Sequence, residues 1–160
     1  MEQEDKTPRG KETSRRSGDD PAFSTEAMLS KLKEAHEIDS FLEENRDAFY
    51  SSTIRDYFEM LFEKYGISKK DAIERSNIER GYAYQILRGE KCAGRDKYLR
   101  LAVGIGLTLD DTQRLLTITQ NGILYSKVLR DAILIFGINN HFDIIKLESL
   151  LEEKHADPLE

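Results

Sequence analysis

The hydrophobic positions of this chain fall into helical stripes, and the stripes are sharpest in its middle. Ile54, Tyr57, Phe58, Leu61, Phe62 and Tyr65 stand at i, i+3, i+4, i+7, i+8 and i+11, the inward side of an amphipathic helix that Gly66 ends. Ser68 is placed as an N-cap with Asp71 three residues on, which predicts a short second helix over 69–76. Asn77 then occupies the turn, where a left-handed backbone is needed and asparagine tolerates it. A third helix is predicted over 79–88, burying Ala83, Ile86 and Leu87 and closing on Gly89. Residues 95–105 predict a fourth around Tyr98, Leu99, Leu101, Ala102 and Ile105, and Thr108 opens a fifth with Leu109, Leu115, Leu116 and Ile118. Two more are predicted: 126–136, burying Leu129, Ala132, Ile133 and Phe136, and 143–155, burying Ile144, Leu147 and Leu151, with Pro158 marking the end.

The first fifty residues read differently. Residues 1–20 hold no large apolar side chain after Met1 and cannot offset the entropy of ordering, so disorder is expected there. Within them Arg15-Arg16-Ser17 has the form of a basic-directed phosphorylation site, a triplet that polar tails generate freely. Met28, Leu29, Leu32 and Ala35 predict a short helix capped by Ser24 or Thr25, and Ile38, Phe41, Leu42 and Phe49 form a second, weaker cluster. No convincing strand alternation and no internal repeat is found, so the fold class expected is all-α. The expected divisions are an acidic arm over 1–50, a helical domain over 51–121 and a C-terminal helical extension over 122–160.

Composition narrows the function classes. Hydrophobic residues make up 39% and charged residues 34%, which fits a globular chain with a heavily solvated surface. No apolar run approaches the ~18 residues that span a bilayer, and the polar N-terminal stretch has no secretory character, so no membrane association and a cytoplasmic location are expected. The single Cys92, in the loop EKCAG, leaves no internal disulfide or multi-cysteine metal site, and His36, His141 and His155 lie too far apart in sequence for metal-ligand spacing. No nucleophile, base and oxyanion donor can be grouped by spacing, and Gly104 and Gly106 lack the rest of a dinucleotide fingerprint and read as a helix end. A protein that is not an enzyme and uses no cofactor or metal is expected.

The charge is −6 overall but is unevenly spread: −5 over residues 1–52, +3 over 53–106 and −4 over 107–160. A basic middle between acidic flanks suits a module that faces nucleic acid while carrying other segments.

Two short helices joined by a tight turn, the second presenting polar residues, form the geometry that places a helix in a major groove. The segment 68–89, SKKDAIERSNIERGYAYQILRG, resembles the helix-turn-helix of the lambda-repressor-like family, the Cro and phage-repressor (XRE) type of bacterial regulator. The resemblance rests on the opening Ser-Lys-Lys-Asp, on Glu74-Arg75-Ser76 before the turn and Ile78 after it, and on Arg80, Tyr82, Gln85, Ile86, Arg88 and Gly89 in order. With the flanking helices it extends over about residues 53–120. It implies a five-helix DNA-binding domain over 51–121 and a sequence-specific transcriptional regulator, a repressor rather than an activator.

If Ala83, Ile86 and Leu87 face inward, Arg80, Gly81, Tyr84, Gln85 and Arg88 form one continuous outward face. By resemblance Arg80, Gly81, Tyr84 and Gln85 occupy base-reading positions of double-stranded DNA. Arg80 is suited to a guanine, Gln85 to an adenine, and Gly81 to close approach of the backbone. Lys69 matches a phosphate-clamping position, with Arg88 and Lys91 as further phosphate contacts. The chain departs from the family pattern at Ile73, where a small residue is common, at Lys69, which replaces a frequent glutamine, and at Glu79, which would face phosphates. The apolar surplus of the last two predicted helices points to a homodimer or to a protein partner, which the N-terminal arm could also bind. Glu79, the acidic flanks and the net −6 keep a second reading open: a protein-interaction module on the same helical pair, such as an antitoxin or an adaptor subunit.

Overall fold

Side-chain oxygens start most of the helices, and left-handed residues stop several of them. The structure, a computed structural model, describes residues 24–46, 49 and 53–160. The expected disorder of 1–20 and the triplet Arg15-Arg16-Ser17 lie outside the described residues. Every regular element among the described residues is helical, and none of these helices is long and apolar enough to cross a membrane. The chain divides into two compact units, 1–51 and 52–160.

In the first unit, α1 (Thr25–Glu34) is capped by the Ser24 hydroxyl, which accepts from the Ala27 N–H at 3.2 Å. α1 buries none of its side chains, and Leu29 and Leu32 are exposed. α2 (Ile38–Glu44) buries Phe41, whose ring meets Phe49 edge-on at 6.2 Å. The buried Asn45 side chain closes α2 by donating to the Phe41 carbonyl at 2.9 Å.

In the second unit, Thr53 caps α3 (Ile54–Tyr65), which buries Tyr57, Phe58, Leu61 and Phe62 and ends on left-handed Gly66. Ser68 caps α4 (Lys69–Ser76) by accepting from Asp71 N–H at 3.1 Å, and Asn77 turns the chain with φ 53° and ψ 42°. α5 (Arg80–Leu87) follows, then α6 (Arg95–Ile105) and α7 (Leu109–Ile118), the last capped by Thr108. α8 (Leu129–Asn139) and α9 (Ile144–Glu153) complete the unit, with Asp143 capping α9. α4 packs on α6 at backbone distance: a β-carbon on Gly104 would stand 2.5 Å from the Ala72 carbonyl and 2.9 Å from Ser76 N. Only glycine fits there. Gly106 with φ 83° is the helix end expected of the pair, while Gly104 is a packing residue.

One core runs through the whole unit, from Phe58, Leu61 and Ala72 to Leu134, Leu147, Leu151 and Leu159. The division expected after residue 121 therefore falls inside a single compact unit. Two reciprocal ion pairs join α6 to α8. Arg95 forks onto Asp131 at 3.0 and 2.9 Å and also donates to the Gly122 and Ile123 carbonyls. Arg130 forks back onto Asp96 at 3.1 and 2.8 Å and donates to the Asp157 and Pro158 carbonyls. The segment after Pro158 is not a free end to the pattern, because Leu159 is buried and the buried Arg100 donates to its carbonyl at 2.7 Å.

α8 departs from expectation. It starts at Leu129 rather than near Ser126, and it buries Asp131, Ile133, Leu134, Gly137 and Ile138. Leu129 and Phe136, expected in the core, are 66% and 54% exposed.

Candidate nucleic-acid interface

The outward face of α5 begins with its cap. Glu79 stands just before the helix, and its two carboxylate oxygens accept from the Gly81 and Tyr82 N–H groups at 2.8 and 2.7 Å. These bonds, Tyr82 first and then Gly81, hold the Glu79 carboxyl below the ordinary glutamate range. The helix N-terminus, where backbone N–H groups ordinarily attract an anion, is thus already occupied by an anion of the chain itself. The sequence pattern placed Glu79 as the first residue of this helix. The structure makes it the N-cap, with the helix proper starting at Arg80.

Beyond the cap, Ala83, Ile86 and Leu87 are buried, which turns Arg80, Gly81 and Arg88 into solvent and leaves Tyr84 and Gln85 half-buried between them. Tyr84 sits between two guanidiniums: Arg80 lies 5.8 Å and Arg88 5.7 Å from its ring centroid. Such contacts restrict the arginines without removing their hydrogen-bonding edges from solvent. Arg88 also meets Glu90 at 3.5 Å. The helix closes as Arg88 N–H donates to Tyr84 and Gly89 N–H to Ile86, with Gly89 at φ 74°. Glu90 and Lys91 N–H both donate to the Gln85 carbonyl, so exposed Lys91 is held one turn beyond the helix.

Lys69 opens α4 and forms an ion pair with Glu59 of α3. Both side chains are well exposed, so releasing Lys69 to another anion costs under about 1 kcal/mol. Arg80, Gly81, Tyr84, Gln85 and Arg88 are therefore brought together on one face. Lys69 stands on the neighbouring helix with a competing carboxylate, and Lys91 in the loop after α5.

A cleft of about 300 Å³ between α4 and α5 was not anticipated from the pattern. Ile73, Ile78 and Tyr84 give it apolar walls, and Lys70, Glu74 and Arg80 add charged groups. The signal was present: Lys70 and Glu74 are one turn apart on α4, and Ile78 follows the turn. Ile73, the departure from a small residue, is buried against the core while still lining this cleft.

The other candidate chemistry is dispersed. Cys92 is exposed, as are His36, His141 and His155. Among the described residues no three His, Cys, Asp or Glu side chains gather in a way that could hold a metal ion. No family model matches the chain, and no curated protein or solved structure is significantly similar to it.

Proposed function

We propose that this chain is a sequence-specific DNA-binding transcriptional regulator, acting as a repressor, that inserts α5 into the major groove of double-stranded DNA. The domain that does so is α3–α7, read as a five-helix lambda-repressor-like helix-turn-helix domain. The observation that carries the reading is the two-sidedness of α5: Ala83, Ile86 and Leu87 are fully in the core, while Arg80, Gly81, Tyr84, Gln85 and Arg88 share the opposite face. Arg80 donates to a guanine edge and Gln85 pairs with an adenine edge. Lys69, Arg88 and Lys91 hold phosphates and set the register. The Gly104 contact supports this use, because a backbone-close α4–α6 packing holds the turn and α5 rigidly enough to read base edges.

The protein acts as a homodimer in this reading, through the outer face of α8. Leu129, Ala132 and Phe136 lie at i, i+3 and i+7, a large, small, large order that matches itself across a two-fold axis at Ala132. Ile145 of α9, 75% exposed, is a further exposed apolar side chain in the C-terminal helices.

A second reading draws on Glu79 and on the Lys69–Glu59 pair, which place carboxylates where phosphates would lie. In that reading the same face binds a protein, as an antitoxin or adaptor subunit would. A titration of binding to random-sequence duplex against salt separates the two. A groove binder loses affinity steeply as salt rises, with a log–log slope set by the phosphates neutralised. No salt-dependent binding to duplex DNA would overturn the DNA-binding reading.

A further inference from the structure

We infer that α5 reads a pyrimidine–guanine step, and that the C5-methyl group of the pyrimidine is bound by the Tyr84 ring beside Arg80. The inference rests on the DNA-binding reading above and names what that site selects. A guanidinium that donates two hydrogen bonds to guanine O6 and N7 lies near the plane of that base. The base stacked on its 5′ side then turns its C5 edge toward the guanidinium and whatever packs against it. In the major groove only thymine, or a methylated cytosine, carries a methyl group there.

What packs against Arg80 is an aromatic ring, at the edge of a cleft whose apolar walls are flanked by Lys70 and Glu74. Its guanidinium lies 5.8 Å from the Tyr84 ring centroid, and Arg88 holds the same ring from 5.7 Å. Ile73 and Ile78 continue the apolar wall in the cleft of about 300 Å³ that Arg80 and Tyr84 share. An outward-facing reader that needed only hydrogen bonds would have no use for that wall. A methyl group at the groove floor gains an apolar contact on it that an unmethylated pyrimidine edge lacks. Gly81, beside Arg80 and without a side chain, leaves room for the helix to reach that depth; its position is crowded only by the Glu79 carboxylate at 3.3 Å.

The test uses the full chain and duplexes selected by it from a random pool, read by fluorescence anisotropy. In the selected site the thymine 5′ to the guanine whose recognition Arg80→Ala abolishes is replaced by deoxyuridine, which keeps pairing and removes only the methyl. Affinity is expected to fall about four-fold, the equivalent of about 0.8 kcal/mol for one methyl-sized group withdrawn from an apolar contact. The same site with cytosine is expected to gain a similar factor when that cytosine is 5-methylated. Tyr84→Phe keeps both effects, because it keeps the ring, whereas Tyr84→Ala removes them. Equal affinity for thymine and deoxyuridine in the wild-type protein overturns the methyl assignment while leaving the DNA-binding reading standing. Selection of no duplex at all overturns both.

Discussion

Gly104 of α6 lies directly beneath Ala72 of α4, so close that a β-carbon on Gly104 would stand 2.5 Å from the Ala72 carbonyl oxygen. Backbone cannot yield there as a flexible side chain could, so Gly104→Ala is expected to destabilise the fold by about 1–3 kcal/mol or more. Gly122→Ala, where no heavy atom comes within 4 Å of the added carbon, is expected to be nearly neutral. Urea unfolding of both variants measures the difference, and equal midpoints would contradict the close packing.

The paired forks between α6 and α8 set the acid behaviour. Burial raises the Asp96 carboxyl, but its bonds from Arg130 and the Glu160 N–H outweigh burial and hold it below the ordinary range. Asp131 is likewise lowered, burial being outweighed by Arg95 and by the Tyr125 N–H. The unfolded chain therefore takes up these protons at higher pH than the folded chain. The stability they confer is complete above about pH 4 and is lost as pH falls through the folded values. Asp131→Asn is expected to cost about 1.5–3 kcal/mol at pH 7 and to flatten the decline below pH 4. An unchanged acid profile would show that this fork does not carry it.

Helices marked by a capping or stop residue were legible in the sequence; α2, α6 and α8 open without a side-chain cap, and of these α8 also turns inward a different face from the one its spacing predicts. Ser68 caps α4 where the pattern put it, Thr108 opens α7 as expected, and Asp143, expected as the first residue of its helix, is the N-cap of α9; Gly66, Asn77 and Gly106 stop their helices in the left-handed conformation. α8 opens after Val128, which offers no capping side chain, and its apolar residues surround the helix, so periodicity could not choose its inner face. What chose it was Asp131 meeting Arg95, a pairing across 36 residues that no local pattern reveals. Arg100 is similar: it interrupts an apolar face and is buried where Glu148 and the Ser76, Leu159 and Glu160 carbonyls receive it. At the candidate site the outward face of α5 followed from the spacing of Ala83, Ile86 and Leu87. The capping by Glu79 and the Arg80–Tyr84–Arg88 stack depend on rotamers and were not readable.

Glu79 limits DNA affinity in this account without contributing to base choice. Glu79→Ser keeps a hydroxyl that can cap α5 and removes a negative charge from the helix entrance. Affinity is expected to rise for cognate and scrambled duplexes alike, with a steeper salt dependence. A loss of affinity on every duplex would mean that the carboxylate itself contacts the DNA.

Assembly through α8 is tested by Phe136→Glu, which places a charge at one end of the exposed apolar face, where the Phe136 ring is 54% exposed and meets Phe142 edge-on at 5.7 Å. The wild-type protein is expected to sediment as a dimer at tens of micromolar and the variant as a monomer with unchanged helix content. A wild-type monomer at that concentration would remove α8 as the interface.

The most direct test of the central claim compares Arg80→Ala with Lys69→Ala on cognate and scrambled duplexes at several salt concentrations. Arg80 is exposed and the Lys69 side chain is paired only at the surface, so neither change should alter the free energy of unfolding by more than about 0.5 kcal/mol. Arg80→Ala is expected to cost about 1–3 kcal/mol on the cognate site and to relax discrimination at one base pair. Lys69→Ala is expected to weaken all duplexes alike and to reduce the salt slope by about one unit. Specific binding left intact in a folded Arg80→Ala protein would contradict the claim that α5 reads DNA.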